Sequence, residues 1–70
     1  MIWYEVLEGK HGNDYEQLEK EFIKESSALK YANQSKYPYV RIDKFQGSYS
    51  KLGGYDGDYV DSIYEKGGLI

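Results

Sequence analysis

Cysteine is absent from this 70-residue chain. Its absence excludes disulfide staples, thiol chemistry and cysteine-ligated zinc or iron-sulfur centres, and it suits a reducing compartment. Histidine occurs once, as His11, so a multi-histidine metal site cannot form. No serine or carboxylate stands at a spacing that would pair with His11 as nucleophile or orienter, and an exposed loop histidine is the expectation. No window approaches the ~18 consecutive apolar residues of a membrane span. Met1-Ile2-Trp3-Tyr4-Glu5 lacks the basic start and apolar stretch of a signal peptide, so a cytoplasmic protein is expected.

The residues present describe one small domain, 1–70, that folds in water. Hydrophobic types make up 40% and aromatics 17%, too many for a disordered tail, while a mean hydropathy of -0.79 is too polar for a bilayer. Ordering such a chain costs about 1.5 kcal/mol per residue, on the order of 100 kcal/mol, against a core with little surplus. Small domains close that gap with disulfides, metals or oligomerisation. With the first two disfavoured, self-association is the remaining expectation.

The net charge of -3 conceals a pattern. Residues 1–25 carry three lysines against seven carboxylates, residues 26–52 five cations against Asp43 alone, and residues 53–70 Lys66 against four carboxylates. Acidic ends flank a basic middle. Paired strands can neutralise one another in this way, and a basic surface for an acidic partner is the sharper alternative.

Ile2 to Leu7 is rich in β-branched and aromatic types and reads as a strand, followed by a loop dense in turn formers from Gly9 to Asp14. Residues 14–35 admit two readings. Asp14 with Gln17 resembles a capping box, and Tyr15, Leu18, Phe22, Leu29 and Ala32 share a stripe, so one long helix can be written. Glu25 and Ser26 interrupt that stripe. The preferred reading is a strand over 16–24, antiparallel to the first, then a short helix capped by Ser26 or Ser27. Pro38 ends the helix near Lys36. Tyr39 to Phe45 is the clearest strand, residues 47–57 read as a loop with Asp56-Gly57 as a tight turn, and Tyr59 to Tyr64 as the last strand. Gly67-Gly68 releases the tail.

The expected fold is therefore α+β, a β-β-α-β-β domain with one short helix on one face of an antiparallel or mixed sheet; the alternative is β-α-β-β with a long helix over 14–35. One short helix covers one face only. Strand alternation puts Val40 and Ile42 on the core side, with Tyr39, Arg41, Asp43 and Phe45 on the uncovered side. The first strand adds either Trp3 and Leu7 or Ile2, Tyr4 and Val6 to that side. An uncovered face with this many large rings is an interaction surface by default.

Catalytic and cofactor motifs do not rise above background. Gly9-Lys10 follows a strand, but Tyr4 and His11 stand where a phosphate loop needs glycine and Ser or Thr. Asp56, Asp58 and Asp61 cluster near glycines, yet a calcium loop starting at Asp56 fails at Val60, Asp61 and Gly67. No enzyme, cofactor or metal is expected. Tyrosine is the strong signal, with nine residues. Tyr31, Tyr37, Tyr39 and Tyr49 lie in the basic middle with Lys36, Arg41 and Lys44. Tyrosine suits wet, reversible interfaces because it offers rigid area with a polar tip. The functional expectation is a non-catalytic binding protein that contacts a protein partner, including a homodimer, through Trp3, Tyr37, Tyr39, Arg41, Phe45, Lys36 and Lys44. The alternative is single-stranded nucleic-acid binding through the basic aromatic segment 30–51. An isoelectric point near 5.0 weighs against it, as does the missing small-residue spacing of an RNA-recognition signature.

Overall fold

The computed structural model describes residues 1–10 and 18–67. Within them the order is β1 (Ile2–Gly9), β2 (Leu18–Phe22), α1 (Glu25–Asn33), β3 (Tyr39–Ser50) and β4 (Gly54–Lys66). All strand pairs are antiparallel, and the sheet order is β2-β1-β3-β4. This is the α+β, β-β-α-β-β domain expected. Strand at Leu18–Phe22 displaces the long-helix alternative, whereas His11 and the Asp14–Gln17 capping box lie outside the described residues.

The helix begins earlier than the serines suggested. Lys24 is the N-cap, in extended conformation and with no side-chain cap, so neither Ser26 nor Ser27 plays that role. Packing sets this start. The Ala28 amide donates to the Lys24 carbonyl, and that phase turns Ala28 and Ala32 onto the sheet, where both are fully buried. Glu25 in the first turn favours the positive end of the helix dipole.

Beneath the helix lie Tyr4, Val6, Val40 and Ile42, with Phe22, Leu29, Tyr31, Ile63 and Tyr64 packed around them. β1 thus turns Tyr4 and Val6 inward and Trp3, Glu5 and Leu7 to the opposite face. That choice was open in the sequence.

The largest departure is the β3–β4 hairpin. Instead of a loop over 47–57, the strands run on to Ser50 and resume at Gly54, where φ is +70°. Asp56-Gly57 sits inside β4, opposite Ser48 and Gly47. The register slips past Ile63 and past Val60, two β4 bulges that bend the strand and sharpen its twist. Met1 closes the sheet on Gly47, its amine donating to the Gly47 carbonyl at 3.0 Å and its carbonyl accepting from the Gly47 amide at 2.9 Å. Beyond that point residues 48–56 form a two-stranded arm.

Opposed glycines let the arm's base close tightly. A Cβ at Gly57 would collide with the Gln46 carbonyl, with Gly47 Cα at 2.7 Å and with the Trp3 ring at 2.7 Å. Gly57→Ala should therefore cost about 1–3 kcal/mol, since backbone on two sides cannot yield. Urea denaturation checks this; an unchanged midpoint would contradict the close packing.

Candidate functional site

Three rows cross the face away from the helix. The first is Trp3, Phe45 and Tyr59; the second Glu21, Glu5, Asp43 and Ser62; the third Glu19, Leu7, Arg41 and Glu65. Each row follows from side-chain alternation applied to the observed register.

In the aromatic row Trp3 stacks on Phe45, with centroids 5.8 Å apart and planes 10° from parallel, and Phe45 meets Tyr59 edge-on at 6.0 Å. The row grades from buried to open. Trp3 is 2% exposed because the side-chain-free Gly57 admits its ring, Phe45 is half-buried, and Tyr59 is 56% exposed. Tyr49, at 57%, extends the same face along the arm.

Tyr39 departs from the expected picture as well. It is 1% exposed, and its hydroxyl donates to Glu65 Oε2 at 2.8 Å while accepting from Arg41 Nη1 at 3.4 Å. Burial, then the bond to Glu65, raises the Tyr39 pKa above its ordinary value, against the Arg41 charge. Arg41 and Asp43 pair with each other at 3.0 Å. Burial works to lower the Arg41 pKa, but Asp43 and then Tyr39 outweigh it and raise the net value. Ser62 donates to Asp43 Oδ1 at 2.7 Å and bonds the Tyr59 hydroxyl at 2.9 Å. The buried Asp43 is thereby satisfied from two sides.

Of the sequence-derived contact residues, the structure brings Trp3 together with Phe45, and Tyr39 with Arg41. Trp3 and Tyr39 are corrected as surface contacts, since both rings are buried within one chain. Lys44 faces the helix side, opposite Asp61 and Tyr4, whereas Arg41 faces the other. Lys36 and Tyr37 lie apart in the link from α1 to β3, where Tyr37 is 39% exposed. The basic middle does not form one patch.

Glu5 was not among the expected residues. It faces Glu21 on one neighbouring strand and Asp43 on the other, with Glu19 and Trp3 beside it. Burial first, then a hydrogen bond and repulsion from Glu19, raise its pKa from 4.5 to about 7; the Trp3 indole opposes the rise and Glu21 adds to it. The folded state therefore keeps a proton that the unfolded chain releases between pH 4.5 and about 7. Stability falls as pH rises through that window, by about 1–2 kcal/mol once solvent screening is allowed for. Urea midpoints at the two ends of the window should show this fall, and Glu5→Gln should flatten it. A midpoint that rises equally in both proteins would refute the assignment.

A second site, also missed, lies on the helix side. Glu8 continues the inward alternation of Tyr4 and Val6, the one signal that placed a carboxylate there, and it is 4% exposed. Its Oε2 accepts from Ser35 Oγ at 2.5 Å, and the nearby Tyr31 hydroxyl has its pKa raised by Glu8 first and by burial second. Glu8, Tyr31, Gln34, Ser35, Lys36 and Tyr37 line an open pocket of about 340 Å³. The Tyr37 amide donates to Ser35 Oγ at 3.2 Å, tying the link to the pocket floor.

Among the described residues no group of three or more His, Cys, Asp or Glu is placed to hold a metal ion, and no helix is long and apolar enough to cross a membrane. Asp56, Asp58 and Asp61 are exposed along β4 opposite Ser48, Gln46 and Lys44. Comparison of the chain with protein-family models, with curated proteins and with solved structures finds no match.

Proposed function

We propose that this chain is a non-catalytic protein-binding domain of the cytoplasm that associates with a second copy of itself through the aromatic row away from the helix. The observation that carries the reading is the grading of that row. The buried Trp3 and the half-buried Phe45 form a stacked base, and Tyr59 and Tyr49 stand more than half exposed beside it. Rigid rings anchored at one end and open at the other lose little entropy on contact. A twofold axis through the row would set each ring against its own copy.

Face contact is favoured over edge pairing. The open edge of β4 carries two bulges and Asp56, Asp58 and Asp61, features that discourage strand addition. The nucleic-acid reading has less support. Lys36, Arg41 and Lys44 lie in three places, and Arg41 is held by Asp43.

Sedimentation equilibrium from about 10 to about 500 µM spans the affinities of a modest dimer and should give twice the monomer mass at the upper end. Tyr59→Asp, at an exposed position, should leave the circular dichroism spectrum intact and weaken the dimer about 30-fold, the effect of losing a central tyrosine contact. A monomer at every concentration removes self-association.

A further inference from the structure

The pocket beside Glu8 has a chemistry that the aromatic row does not use. Its floor is a carboxylate almost wholly removed from water, and the side chains of the described residues that meet it, Ser35 by a hydrogen bond and Tyr31 beside it, are neutral. Glu8 forms no ion pair with any described residue. A buried carboxylate is costly until a cation meets it, and here the pocket leaves an open approach. Tyr31 and Tyr37 supply the walls. The Tyr31 ring already draws an ammonium group, with Lys20 Nζ 5.2 Å from its centroid. A volume of about 340 Å³ lies at the small end of ligand sites and suits a side chain rather than a nucleotide or an extended cofactor.

We propose that this pocket receives a lysine or arginine side chain of a polypeptide partner, with Glu8 pairing the charge and Tyr31 and Tyr37 flanking it. The proposal rests on reading the chain as a binding domain and names the chemistry of what it binds. Lys36 lies on the pocket wall as the internal competitor, a cation that occupies the same field while the partner is absent. Salt should weaken binding only modestly, because it screens the approach of the cation and the exposed Lys36 more than the contact with the buried Glu8 carboxylate.

The test is amide NMR of the whole chain titrated with Nα-acetyl-lysine methylamide, with the arginine counterpart, and with the norleucine counterpart, which has the same backbone but no charge. The lysine or arginine compound should give saturating shifts at Gln34, Ser35 and Tyr37 with a dissociation constant of about 1–10 mM, a normal value for one side chain. Norleucine should give none. Glu8→Gln preserves shape and the Ser35 bond and should weaken binding at least about 10-fold, the loss of one charge-assisted contact. Lys36→Ala should tighten it. Equal shifts from norleucine, or undiminished binding to a dispersed Glu8→Gln spectrum, would overturn the proposal. Were Glu8→Gln to unfold, the norleucine comparison and Lys36→Ala decide in its place. Butylammonium shifting these residues while both amino-acid derivatives do not would also overturn it, since the pocket would then take free amines. A dimer that persists without lysine or arginine binding sinks this inference alone, and a monomer that binds them sinks self-association alone.

Discussion

Tyr39→Asp is expected to unfold the chain rather than split a dimer. The ring is 1% exposed and its hydroxyl joins Glu65 to Arg41, so the substitution removes a buried aromatic and sets a carboxylate beside Glu65. Truncating a buried ring costs about 3–5 kcal/mol before the like charge is counted. A single core in a chain of this length, with no cysteine to staple it, supplies about 3–5 kcal/mol. Far-UV circular dichroism should show a disordered chain at 25 °C. Tyr39→Phe, which keeps the ring and loses only the two hydroxyl bonds, should stay folded and lose about 1–2 kcal/mol. A folded Tyr39→Asp with the wild-type urea midpoint would show that the ring is not part of the core.

Trp3→Ala carries the other large effect. Trp3 is the anchor of the aromatic row, stacked on Phe45 and seated over Gly57, and its removal should cost about 3–5 kcal/mol. The effect should couple to Gly57→Ala. With the indole gone, a methyl at position 57 loses one of its three collisions and keeps the two with backbone, so the double variant should be about 0.5–1 kcal/mol more stable than the sum of the singles. Urea midpoints of the four proteins, each taken in enough trimethylamine oxide to keep the weakest folded, close the cycle. Strict additivity would mean that the ring and the glycine do not touch.

Much of the outline was legible in local patterns. β-branched and aromatic composition in Ile2–Leu7 and Tyr39–Phe45 marks β1 and β3, and side-chain alternation along β3 separates Val40 and Ile42 from Tyr39 and Phe45. The interruption at Glu25-Ser26, with Pro38 downstream, marks a short helix between strands instead of a long one. These signals survive because each depends on near neighbours in the chain.

What depends on distant neighbours was settled by tertiary structure. Asp56-Gly57 has the chemistry of a tight turn, yet it lies in β4 because Gly47 stands opposite and the two bare backbones can close. The same vacancy buries Trp3, which alternation alone would leave on an open face. No local signal pairs Gly47 with Gly57 or places Trp3 above them. Likewise Glu5 becomes a group that titrates near neutrality only when β2 and β3 bring Glu19, Glu21 and Asp43 around it. Glu8, on the opposite face of β1, becomes a pocket floor only when Ser35 and Tyr31 fold over it from the end of the helix. Burial and charge proximity are properties of the register between strands. The alternation of residues along each strand decides which side a group faces, and the packing of separate elements decides whether that side is wet.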